Sequence, residues 1–153
     1  MEQDVFEQLD RLTGHWVNES THPAFPGLII RGATRCAWLD GGRFLEQRSE
    51  YDHPDFPNAL SVIGIMGMDR ADLAIEADAT QLRMHYLESR GVCRIYDMAI
   101  DSTSWRYWRL DPSFPQRATG TFSDDGTTID VVTQLRRDGA DWVDDLKMVC
   151  RRA

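Results

Sequence analysis

Residues 4–12 (DVFEQLDRL) place Val5, Phe6, Leu9 and Leu12 at helical spacing, which predicts one short amphipathic helix at the N-terminus. Beyond Gly14 the period changes. Short β-branched and aromatic runs alternate with clusters of Gly, Pro, Asp and Asn, the texture of an all-β sandwich or barrel. Ten strands are predicted, at 14–22, 28–39, 43–52, 59–69, 81–88, 92–100, 104–110, 116–123, 127–136 and 140–151. Most connections are of hairpin length, which favours an up-and-down antiparallel meander. Closing that meander into a β-barrel removes its exposed edges. Residues 70–80 read as a loop with a helical turn.

Hairpin turns set register, and register sets which side chains point inward. A turn at Gly41-Gly42 pairs Trp38 with Leu45, Cys36 with Gln47 and Thr34 with Ser49, and brings Gly32 opposite Tyr51. A turn at Asp138-Gly139 pairs Thr133 with Asp144 and Val131 with Leu146, which puts Asp144 inside and Asp145 outside. A turn at Asp125-Gly126 adds Ala118 and Gly120, small inward residues beside Asp144. Centring the next-to-middle turn on Arg90 groups Met84, Tyr86, Arg94, Tyr96 and Met98, then Trp105, Tyr107 and Arg109. A slip of one residue would instead bring in His85, Asp97 and Trp108. The first face concentrates the aromatics and is preferred. If Trp16 faces in, so do Asn18, Ser20 and His22. His15 and His53 are expected on exposed loops or edges.

One pattern recurs three times: His or Asp, followed by Pro-x-Phe-Pro, at residues 22–26, 53–57 and 111–115. Each copy joins an odd strand to the next even one, so a meander gathers all three at one end. They read either as three similar turns or as the rim of a mouth.

The chain has 153 residues, which suggests one domain spanning 1–153. Its formal charge of −8 argues against nucleic acid and against anionic membrane surfaces. No apolar run approaches a membrane span, and the acidic N-terminus is unlike a signal peptide. Three widely spaced cysteines suggest neither a disulfide framework nor a metal site, so a cytoplasmic location is expected.

The Gly14-x-Trp16 element after a short helix resembles the lipocalin (calycin) signature. The runs Met84-His85-Tyr86-x-x-Ser89-Arg90-Gly91-Val92 and Thr119-Gly120-Thr121-Phe122-Ser123-Asp124-Asp125-Gly126 extend the likeness. Together they resemble an uncharacterised bacterial family of lipocalin-like, nitrobindin-related barrels, over nearly the whole chain. The resemblance implies a ten-stranded barrel with an interior pocket and no particular activity. Nitrobindins bind heme through a histidine near the C-terminus. No histidine follows His85 here, so heme is not expected, and any revival would fall on His22 or His85.

The lumen so assembled has apolar walls and a polar set of Gln47, Tyr51, Tyr86, Arg94, Tyr96, Tyr107, Arg109 and Asp144, with His22 and His85 as further candidates. Two arginines in a partly dry mouth suit a carboxylate or an enolate-like oxygen. The expected ligand is therefore a small hydrophobic molecule with an acidic or carbonyl end, needing no cofactor and no metal. A homodimer is the one protein assembly allowed for. The alternative is a cofactor-free cyclase, isomerase or hydrolase, with Asp144 moving the proton. Against both stands a plain ion pair between Asp144 and Arg94 or Arg109.

Overall fold

The computed structural model describes residues 2–55, 59–70 and 80–153. A helix α1 (Glu2–Asp10) precedes ten strands: β1 (Gly14–Thr21), β2 (Ile30–Trp38), β3 (Phe44–Asp52), β4 (Leu60–Arg70), β5 (Thr80–Glu88), β6 (Val92–Ile100), β7 (Ser104–Arg109), β8 (Gln116–Phe122), β9 (Thr128–Leu135) and β10 (Val143–Arg152). Every strand pairs antiparallel with its sequence neighbour, and β1 pairs with β10, so the sheet closes into a barrel. The closing seam runs from Trp16 opposite Arg152 to Thr21 opposite Lys147. The ten-stranded all-β expectation holds. The loop expected at 70–80 falls mostly on residues 71–79, outside the described set.

Inward and outward residues alternate along each strand because successive side chains point to opposite faces of a sheet. On β1 this leaves Trp16, Asn18 and Ser20 buried and Val17 exposed. Trp38 opposite Leu45, Cys36 opposite Gln47 and Gly32 opposite Tyr51 follow the register read from the Gly41-Gly42 turn. Both glycines there take a positive φ (92° and 66°), which residues with a Cβ adopt at a cost. The Arg90-centred register also holds, with Tyr86 opposite Arg94 and Met84 opposite Tyr96.

The lower end is packed shut. Leu9 and Leu12, from α1 and the turn after it, are fully enclosed and meet Trp16, Cys36, Leu45, Met66 and Phe122. The Trp16 indole N–H donates to the Leu12 carbonyl at 2.9 Å. The Arg152 guanidinium lies 4.2 Å from the centre of the Trp16 ring and donates to the carbonyls of Thr13, Arg11 and Gly126. Helix, β1 and β10 are thereby joined where the barrel begins. Asp10 accepts from the Trp38 indole at 2.8 Å, and Phe6 packs edge-on against that ring.

Candidate functional site

The upper end is open and is built by the repeated turns. In the first copy the His22 Nδ1 accepts the Ala24 amide at 3.0 Å, and the Phe25 amide donates to the His22 carbonyl. In the third, Asp111 Oδ1 accepts the Ser113 amide at 2.8 Å, and the Phe114 amide donates to the Asp111 carbonyl. In the second, the His53 Nδ1 accepts the Asp55 amide at 3.1 Å; Phe56 and Pro57 lie outside the described residues. The repeat is thus a capped turn. Proline presets the backbone and the leading side chain accepts the amide two residues on. Phe25 and Phe114 both line the cavity below, so these turns form its rim.

That cavity measures about 370 Å³, within the usual range for a small-molecule pocket. Its apolar lining includes Ile30, Leu60, Val62, Leu146 and Met148. Its polar lining includes Gln47, Tyr51, Tyr86, Arg94, Tyr96 and Tyr107, all six as expected from register, and His22 at the rim. A narrower recess of about 70 Å³ lies deeper, toward Trp16, Cys36 and Cys150. Gln47, Tyr51, Tyr107 and Met148 line both spaces and so form the neck between them.

Around the neck, Thr34 accepts from the Asn18 amide at 2.6 Å and bonds to Ser49 at 2.7 Å; Gln47 donates to Ser49 at 3.2 Å. Tyr96 packs edge-on against Tyr86 and Tyr107 and donates to Gln116 at 2.5 Å. Arg94 lies 4.4 Å from the centre of the Phe114 ring and reaches the Tyr96 hydroxyl at 3.5 Å. Among the described residues it has no ion-pair partner.

Three expectations fail. Asp144 lies on the outer face, exposed, accepting from Gln134 at 2.8 Å with Lys147 at 3.9 Å. The Asp138-Gly139 turn is longer than two residues, since Val143 pairs with Leu135, and a bulge between Asp144 and Lys147 then shifts the register. Leu146 and Met148 recover the inward phase, and Asp145 takes the cavity position instead of Asp144. His85 pairs with Ile65 and Ile95 on the outer face and is exposed. Arg109 is outside the cavity lining and pairs with Asp111 at 3.3 Å. The ion pair of Asp144 with Arg94 or Arg109 does not form.

Sequence reasoning also missed inward residues. Glu88 is buried, and Arg90 from the following turn clamps both its oxygens; both residues line the cavity. His53 is half-buried and lines it too. The alternation rule, continued two residues past Tyr86, would have found Glu88.

Burial raises the phenols of Tyr51, Tyr86 and Tyr107 above the usual range, with Tyr96 and Glu88 adding to the effect at Tyr86. A group with a raised folded-state pKa stabilises fully below its unfolded value, near 10 for tyrosine, and loses that contribution as pH climbs through the folded value. Stability should therefore decline above roughly pH 10. Phenolate absorbance from these three rings should appear together with the loss of circular dichroism. A gradual tyrosine titration in a chain that stays folded would contradict this burial.

No protein-family model and no curated protein matches this chain. Among solved structures, the crystal structure of Rv2717c from M. tuberculosis aligns with a TM-score of 0.62 at 14% identity. The alignment covers 97% of this chain and 96% of that one, a likeness of fold.

Proposed function

We propose that this chain is a lipocalin-like, nitrobindin-related binding barrel whose lumen takes a small, largely apolar molecule with an acidic or carbonyl end. The observation that carries the reading is Arg94. It is a cation on the wall of a mostly apolar cavity, without a carboxylate of its own among the described residues. A ligand carboxylate there would make charge-assisted hydrogen bonds in a partly desolvated site. The tyrosines, held neutral, supply hydroxyls to orient a carbonyl.

The enzyme alternative drew its proton transfer from Asp144, and that residue stands outside the barrel. His22 does not replace it, since one ring nitrogen accepts the Ala24 amide and the other meets Asp145. Neither His22 nor the outward His85 offers a free ring nitrogen to a heme iron in the lumen.

Octanoate and decanoate at a hundredfold excess over Kd would stabilise the fold by about 2.7 kcal/mol. For a chain of this size that raises Tm by roughly 5–10 °C. Arg94→Met should melt near the unliganded wild type and lose most of the ligand-induced shift. Wild-type protein that no hydrophobic acid stabilises would remove the reading.

A further inference from the structure

The charges around the cavity divide by wall. Glu88, at the end of β5, is cancelled by Arg90 in the next turn. Arg94 on β6, beside Tyr86, reaches the Tyr96 hydroxyl and the Phe114 ring and meets no carboxylate among the described residues. This wall is therefore net positive.

On the far side, β10 stands four strands from β6 around a ring of ten, so the two nearly oppose each other across the hollow. Asp145 projects there from the bulge of β10, its side chain 22% exposed. His22 lies 2.5 Å from its Oδ1. Because the His22 Nδ1 accepts the Ala24 amide, the neutral ring carries its proton on Nε2 and donates it to Asp145. That bond occupies Oδ1 and aims the carboxylate into the lumen. Among the described residues Asp145 Oδ2 has no partner. His53, also at the rim, accepts the Asp55 amide, and the three raised tyrosines are neutral.

Among the described residues, one cavity thus holds a guanidinium with no carboxylate partner and, on the nearly opposite wall, a carboxylate with one oxygen unpartnered. Taking each from water has a cost that a partner charge offsets, and the two do not meet each other. β-Bulges commonly re-aim a side chain beside a site, and this one brings a carboxylate into the lumen.

We infer that the ligand is dipolar: a carboxylate at Arg94, an ammonium at Asp145, and an apolar body between them over Leu60, Val62, Leu146 and Met148. The class is an acid whose amine lies at the far end of its chain. An α-amino acid, with both charges on one carbon, fits opposed walls poorly. This inference rests on the lumenal-binding reading and adds the second charge to it.

Calorimetric titration with four probes tests it: octanoate, octylamine, 2-aminooctanoate and 8-aminooctanoate. Wild-type protein should bind 8-aminooctanoate at least tenfold more tightly than each of the others. Asp145→Asn, whose amide oxygen still accepts from His22, should drop 8-aminooctanoate to the level of octanoate and, having lost a carboxylate that repels octanoate, should bind octanoate no less tightly. Arg94→Gln should drop it to the level of octylamine. Circular dichroism melting shows that both variants are folded. Equal binding of octanoate and 8-aminooctanoate by wild type overturns the dipolar ligand while the binding reading stands. Tightest binding of 2-aminooctanoate overturns the opposed arrangement. Binding of none of the four overturns both.

Discussion

Trp16→Ala should cost about 4 kcal/mol of folding stability, in the range for emptying a buried aromatic position. The side chain is 3% exposed and sits where three parts of the chain meet. Its ring packs with Leu9 and Leu12, its N–H satisfies the Leu12 carbonyl, and its face carries Arg152. Removing the ring leaves that carbonyl without its donor and joins the inner recess, which Trp16 lines, to a new void. Native domains have only about 5–15 kcal/mol in hand, so the variant should unfold at much lower urea. Trp16→Phe keeps most of the volume and loses the hydrogen bond, and should cost roughly 1 kcal/mol beyond its small cavity term. The check is urea unfolding followed by circular dichroism. Equal midpoints for wild type and the alanine variant would mean that the lower end is not closed by this residue.

Gly32→Ala should cost roughly 3 kcal/mol through overpacking, although alanine is ordinarily benign in a strand. A Cβ at this position would stand 2.4 Å from Tyr51 Cδ1 and 2.6 Å from the Glu50 carbonyl oxygen. The tyrosine ring can turn aside; the backbone oxygen cannot without spreading β2 from β3. Tyr51 forms part of the neck between the two lumenal spaces, so displacing it should also weaken ligand binding. A Gly32→Ala/Tyr51→Ala double variant separates the two contacts. If the double variant recovers only part of the loss, the carbonyl clash accounts for the rest. A single variant as stable as wild type would show that the two strands lie farther apart than described.

The fold was largely legible because hairpins write their register locally. Gly41-Gly42 and Asp125-Gly126 mark their turns plainly, and the strands on either side alternate cleanly. The aromatic concentration of Tyr86, Tyr96, Trp105 and Tyr107 chose the correct face for the middle strands and left His85 outside. The β9–β10 hairpin defeated the same logic. Asp138 and Gly139 do adopt left-handed conformations, with φ of 50° and 71°, yet they belong to a longer connection. A bulge further along then restored the phase at Leu146 and Met148. Each departure displaced the pairing by one residue in the same direction, so the phase returned while the register ended two residues off, with Val131 facing Met148 instead of Leu146, and Asp145 took the place expected of Asp144. No hydrophobic period reports a bulge among adjacent aspartates, because both residues are polar. The pairing of His22 with Asp145 was likewise out of reach, since it joins residues at opposite ends of the chain.

The seam between β1 and β10 has a consequence for how this molecule is made. Every other neighbouring pair in the sheet connects segments adjacent along the polypeptide and can zip as soon as both have left the ribosome. The final pair waits for the last strand to emerge, and topology of this kind slows only the closing event. Until then the curled sheet carries two bare edges able to add a foreign strand. Arg152, reaching back to carbonyls near the chain's beginning, acts as the latch.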